Sequence, residues 1–282
     1  MNVLLSLFLL FFAYRLGKRC IPFGLSFFHH QKVTSLNYRK DRIPASFGGF
    51  LSVLLLFLSL ILLGLSQVVP LFSLSLFLTV LFASVMVTYL GWLDDTLGSD
   101  EDKGFRGHFR TLFREQRITT GSLKAVGGGI TAAISATVTA SGGLEWVIHT
   151  LFIALMINGL NLLDLRPGRC LKFYLAAAAV LFLWTLGTAD ALIFIPLLGL
   201  AAAVFPYDLE GGLMLGDSGA NLLGVQLALW TVSIAPLWLV SLFTLLLLWG
   251  HYYGEVFSFT RLIEENRWLS YLDRLWRPTP KR

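Results

Sequence analysis

The chain has 282 residues, 56% of them hydrophobic and only 14% charged, with a mean hydropathy of +0.72. Soluble domains carry roughly a quarter charged residues, so this composition excludes a soluble protein and predicts an all-α polytopic membrane protein. The net charge of +5 calls for no nucleic-acid partner, because the placement of the basic residues along the chain accounts for it.

At about 20 residues per span, a chain of this length crosses a bilayer about nine or ten times. Little is left for a separate soluble domain, so residues 1–282 read as one domain. The chain opens with an apolar run over 2–14, with Arg15, Lys18 and Arg19 following it. A cleavable signal peptide has the reverse polarity, so this run predicts a retained first span, followed by a loop over 21–47. Further apolar runs cover 48–68, 71–93, 124–141, 144–163, 171–188, 191–205, 218–234 and 237–253, which predicts nine spans. The small-residue run over 127–140 reads as close helix packing. Residues 257–282 form the tail. There Trp268, Leu269, Leu272, Leu275 and Trp276 gather on one side, with Glu264, Arg267, Asp273, Arg274 and Arg277 among the rest, as in an amphipathic helix lying in the membrane interface.

All 22 Lys and Arg residues lie within 15–42, 103–124, 166–172 and 261–282. The alternate loops, near Val68, Gly142, Thr188 and Ala235, carry none and are marked as polar by Glu145 and Asp190. The positive-inside rule then places the N-terminus outside and the C-terminus in the cytoplasm. The excess positive charge also suits anionic lipid head groups. Cys20 and Cys170 each follow a basic residue on the cytoplasmic side, where thiols stay reduced, and form no metal or redox pattern.

On this map three helix ends bring carboxylates to the cytoplasmic face. Asp94 and Asp95 close the third span, an electrostatically unfavourable place because a helix C-terminus carries partial negative charge. A nearby cation or phosphate chemistry is the expected compensation there, whereas Asp100, Glu101 and Asp102 read as a solvated acidic loop. In Asn158-Gly159-Leu160-Asn161-Leu162-Leu163-Asp164, residues Asn158, Asn161 and Asp164 fall within about 120° of arc. That polar stripe suits either a site or hydrogen-bonded helix packing. In Leu215-Gly216-Asp217-Ser218-Gly219, a glycine-flanked aspartate opens a helix whose free N–H groups and positive dipole end suit a diphosphate. An ordinary N-cap by Asp217 or Ser218 is compatible with that role. Mg²⁺ is suited to such a place, since it takes one or two carboxylates and keeps its waters.

These three segments, in this order and each at a cytoplasmic helix end, resemble the polyprenyl-phosphate N-acetylhexosamine-1-phosphate transferases over nearly the whole chain. Asn37-Tyr38-Arg39, Ile43-Pro44 and Gly48-Gly49 are similar to that superfamily's first cytoplasmic loop, with Pro44 one residue further from the double glycine. The resemblance implies transfer of a sugar-1-phosphate from a nucleotide amino sugar, normally UDP-linked, to polyprenyl (undecaprenyl) phosphate, giving a lipid diphosphate sugar and UMP for cell-envelope polymer synthesis. It assigns catalytic roles to Asp94, Asp95, Asp164 and Asp217, with Mg²⁺, or Mn²⁺ in its place, on Asp217 and Asp164. Asn158, Asn161, Lys124, Arg166, Arg169, Gly216 and Ser218 become substrate-binding candidates, Lys124 being equally readable as a snorkelling interface lysine.

The chain departs from the family pattern in three places. The second aspartate that usually follows the fifth-span motif is replaced by Leu165-Arg166-Pro167-Gly168-Arg169; the His-rich loop after the ninth span is missing; and so is the tenth span. A relative that binds carrier-lipid phosphate and metal without transfer is therefore the alternative. A secondary transporter is disfavoured, because the charges cluster at one face instead of mid-bilayer. The partners implied are carrier lipid, nucleotide sugar and membrane lipid, with a homodimer compatible with the sequence.

Overall fold

A computed structural model describes residues 2–98, 119–256 and 259–277. The acidic loop at Asp100, Glu101 and Asp102 and most of the basic stretch over 103–124 lie outside the described residues. The described residues are all-helical apart from one short hairpin.

The first helix, α1 (Asn2–His30), is longer than its hydropathy predicts. Ser6, Leu9, Ala13, Gly17, Ile21, Gly24 and Phe28 are buried at intervals of three or four residues, a single stripe running the full length of the helix. Arg15, Lys18 and Arg19 point away from that stripe, and Pro22 costs one backbone hydrogen bond without ending it. The predicted boundary at Tyr14 and the loop from Ile21 are thereby corrected: the connection begins only after His30. It contains the hairpin β1 (Thr34–Leu36) and β2 (Arg42–Pro44), paired Thr34 to Pro44 and Leu36 to Arg42.

Next come α2 (Gly48–Ser66), α3 (Leu74–Leu97), α4 (Thr120–Thr139), α5 (Gly143–Leu163) and α6 (Arg169–Trp184). A 3₁₀ turn at Asp190–Ile193 leads into α7 (Ile195–Leu209), followed by α8 (Gly216–Ile234) and α9 (Leu237–Val256). The tail is two short helices, α10 (Phe259–Glu265) and α11 (Arg267–Arg274), where one continuous helix was expected. Asn266 separates them: its side chain accepts the N–H groups of Trp268 and Leu269 and so starts α11.

Helix α8 is the hub. Every residue from Ser218 to Val232 is buried, and a helix buried all round belongs in the centre of a bundle. It packs on α2, α3, α4, α5, α6 and α9. The approach is close at Gly224, where a Cβ would lie 2.6 Å from the Met156 carbonyl, and elsewhere the Trp230 ring of α8 stacks on Phe194 at 5.2 Å. Among the described residues, four helices are long and apolar enough to cross a membrane: Gly48–Ser66, Leu74–Leu97, Gly143–Leu163 and Leu237–Gly254. Of the others, α6 and α7 have 16 and 15 residues, below the usual spanning length, and α1 is interrupted by its three cations.

Candidate functional site

The first turn of α8 organises the site. The segment entering α2 pairs with the segment entering α8: Met214 N–H donates to the Pro44 carbonyl at 2.8 Å, Phe47 N–H to Met214 at 3.0 Å, and Gly48 N–H to Leu215 at 3.1 Å. Glycine permits this contact, since a Cβ on Gly48 would fall onto the Gly219 backbone, and one on Gly91 would come within 2.5 Å of the Ser218 nitrogen. Helices α2 and α3 thus touch α8 backbone to backbone at the point where its N–H groups are free.

Asp95 fills that position. Its Oδ1 accepts the Asp217 N–H at 2.9 Å, and its Oδ2 accepts the Ser218 N–H at 3.2 Å and the Ser46 hydroxyl at 2.6 Å. The Ser46 and Ser218 hydroxyls are 3.0 Å apart. A carboxylate at the end of α3, unfavourable on its own helix, is stabilised by the positive N-terminus of another. Ser46, buried and at φ 56°, is a site residue the sequence reading missed. The only sequence signal for it is its position two residues before the double glycine.

Asp94, one residue away, does something different. Lys124 Nζ lies 2.7 Å from Asp94 Oδ2 and also contacts Asp217 Oδ2, so one ammonium bridges two carboxylates from α3 and α8. A capping box between Thr119 and Ser122 fixes the start of α4 and places Lys124 just after its first turn. The three side chains retain 19–24% exposure, so the cluster opens outward and is not sealed in the core. Lys124 therefore has a defined ionic role, beyond that of a snorkelling lysine.

Asp164 closes α5 beside this cluster and accepts the Gly216 N–H. Desolvation, reinforced by the charges of Asp208, Asp217 and Asp95, holds its carboxyl well above the usual carboxylate range. Asp208, almost fully buried, accepts the Gly168 N–H at 2.8 Å and so ties the end of α7 to the loop after α5. It was missed in the sequence, although it too is an acid at a helix end, as Asp94 and Asp164 are. The Asn158 and Asn161 side chains, on the preceding turns of α5, make no hydrogen bond within the described residues and are part-exposed. Between them, Gly159 faces His251 of α9. His251 Nδ1 donates to the Leu247 carbonyl at 2.8 Å, leaving Nε2 buried without a partner.

Arg166 and Arg169 are placed elsewhere. Arg169, 6% exposed, pairs bidentately with Asp273 of α11, Nε to Oδ1 at 2.8 Å and Nη2 to Oδ2 at 3.1 Å. Arg277 joins the same carboxylate at 2.8 Å and donates to the Pro167 carbonyl, while Lys172 donates to the Asp273 carbonyl. Arg166 lies 3.5 Å from Glu264. The positive charge that replaces the expected aspartate thus holds the tail. Burial pushes the Asp273 carboxyl up, and the Arg169 and Arg277 guanidiniums more than offset it, holding it below the usual carboxylate range.

Among the described residues, no three His, Cys, Asp or Glu side chains converge into a metal cage. A cation that needs only one or two carboxylates still fits, for the Lys124 ammonium already occupies a cation position between Asp94 and Asp217. The neighbouring Asp164 and Asp208 carboxyls, kept toward their protonated forms by burial, would add negative charge only where a bound cation displaces their protons. The expected diphosphate site on free α8 N–H groups is thereby corrected, since Asp164 and Asp95 accept the N–H groups of Gly216, Asp217 and Ser218; what remains at this end of the bundle is a cation-binding carboxylate cluster. No protein-family model and no curated protein matches the chain.

Proposed function

We propose that the chain is a membrane transferase that moves a sugar-1-phosphate from a UDP-linked or similar nucleotide amino sugar to polyprenyl phosphate, for cell-envelope polymer synthesis. In this reading the helices α1 to α9 make nine crossings, with the N-terminus outside and the C-terminus and site in the cytoplasm. An oxygen of the lipid phosphate attacks the β-phosphorus of the donor, a new P–O–P linkage forms to the lipid, and the bond to the α-phosphate breaks to release UMP. The observation that carries this reading is the convergence of Asp94, Lys124 and Asp217 at the N-terminus of α8, with Asp164 beside them.

Phosphoryl transfer asks a protein mainly for positioning and charge neutralisation, and each group has a place in that. Asp217 and Asp164 would hold Mg²⁺ or Mn²⁺, which neutralises charge on the diphosphate when bound. Lys124 balances the carboxylates and is within reach of a phosphate oxygen at the same mouth. Asp94 is the carboxylate available to position the lipid phosphate, because Asp95 is committed to the α8 N–H groups and acts by positioning. Asn158 and Asn161, unpaired and facing outward, supply donors and acceptors for the nucleotide or sugar.

A second reading, a carrier-lipid phosphate binder without transfer, is favoured by one observation: Arg169 is committed to Asp273, so the altered loop offers the donor no carboxylate. Purified protein incubated with undecaprenyl phosphate, Mg²⁺ and a panel of UDP-sugars separates the two. UMP release that disappears in Asp217→Asn, with expression intact, supports transfer. Folded protein that binds lipid phosphate and releases no UMP from any donor supports the second reading.

A further inference from the structure

Helix α1 carries a feature the site does not use. Arg15, Lys18 and Arg19 lie on its exposed side and line, with Phe12, Leu16, Pro22 and Phe23, a shallow, open groove along the surface of α1 alone. Three cations within five residues of a helix repel one another, Arg15 and Arg19 at the i,i+4 spacing in particular. Among the described residues none of the three has a carboxylate partner; Lys18 has only the Tyr14 ring, 5.8 Å away. Pro22 adds to this by having no N–H for the Lys18 carbonyl.

The position of this face along the bundle follows from the other end of α1. The far end of α1 reaches the site end, where the rings of Phe28 and Phe47 lie 5.5 Å apart. Arg19 is nine residues before Phe28, about 14 Å at the helical rise. The cations therefore lie on the membrane side of the site, where long basic side chains extend toward the polar boundary. Phe12, Leu16 and Phe23 flank them with apolar surface. Unpaired cations bordered by aromatics on a lipid-facing helix match a ligand with a phosphate head and acyl chains.

We propose that this groove binds the headgroup of an anionic phospholipid in the leaflet on the site side, the phosphate held by Arg15, Lys18 and Arg19. The groove belongs to α1, whose main packing partner is α7, whereas the carboxylate cluster is built by α3, α4, α5 and α8. The lipid is thus a resident of the fold and not a reactant, and the proposal does not depend on the transfer reaction.

Native mass spectrometry of detergent-purified full-length protein, titrated with phosphatidylglycerol or phosphatidylcholine, tests it. Each basic residue near an anionic surface contributes enough for three to give a preference of roughly a hundredfold. Wild type should retain phosphatidylglycerol with that order of preference. The R15Q/K18Q/R19Q variant should lose the preference, and K32Q/K40Q/R42Q, equal in charge change but outside α1, should keep it. Equal retention of the two lipids by wild type, or equal loss in both triple variants, would overturn the proposal. So would displacement of phosphatidylglycerol by equimolar undecaprenyl phosphate, which would make the groove a carrier-lipid site.

Discussion

Asp95 Oδ1 accepts the backbone N–H of Asp217 at 2.9 Å, so the end of α3 caps the start of α8. Two adjacent aspartates thereby separate into different tasks, Asp95 on backbone donors and Asp94 on the Lys124 ammonium. Loss of a cap of this kind costs about 0.5–2 kcal/mol, and here two N–H groups and the Ser46 hydroxyl lose their acceptor together. Asp95→Ala should therefore lower the midpoint of thermal unfolding in detergent. Asp94→Ala should leave it nearly unchanged, since Lys124 keeps Asp217. A larger loss for Asp94→Ala would reverse the assignment.

The Lys124 ammonium sits on Asp217, one of the two carboxylates proposed to hold a divalent cation. Its charge opposes metal binding by Coulomb repulsion, which at short range and moderate screening amounts to a few kcal/mol. Lys124→Gln should accordingly tighten Mn²⁺ binding, read by electron paramagnetic resonance of free Mn²⁺, by about tenfold or more. Transfer should fall in the same variant if Lys124 also holds substrate phosphate. Unchanged Mn²⁺ affinity would place the metal away from Asp217.

Helix contact at the site depends on missing side chains. A Cβ on Gly91 would meet the Ser218 nitrogen at 2.5 Å, and the obstacle is backbone that cannot rotate away. Overpacking of this kind costs about 1–3 kcal/mol. Gly91→Ala should destabilise the protein in thermal unfolding and also weaken Mn²⁺ binding, because the added Cβ presses on the Asp217 backbone and shifts its carboxylate relative to Asp164. Gly64→Ala, where nothing lies within 4 Å, should change neither.

The sequence showed the helices from 48 to 256 to within a few residues because their apolar runs are bounded by charge, proline or glycine. It also showed that carboxylates gather at one end, since helices that alternate in direction must bring alternate ends together. What it hid depends on long-range pairing. Arg15, Lys18 and Arg19 looked like the end of a span because hydropathy averages around the helix, whereas the buried stripe from Ser6 to Phe28 runs along one side of it. Ser46 is one serine among many until the Gly48–Gly219 contact places it against Asp95. Arg169 stood beside the expected nucleotide motif, and no local pattern connects it to Asp273, more than 100 residues later.

That last pair makes the tail sensitive to acid. Arg169 and Asp273 are 6% and 9% exposed, and breaking a buried pair by removing one partner costs roughly 3–5 kcal/mol. The Asp273 pKa is lowered from 3.8 in the docked tail. Docking is therefore favoured by the full ionic contribution above that value, and loses it as pH falls through the lower, docked pKa. Limited proteolysis of the tail should show protection at neutral pH that fails only below about pH 4, the unperturbed carboxylate range. Asp273→Asn should leave the tail cleavable at neutral pH and abolish the acid dependence. Arg169→Asp should release it in the same way, and combining Arg169→Asp with Asp273→Arg should restore part of the protection. Tail cleavage that is independent of pH in the wild type would remove the Asp273 contact as what holds it.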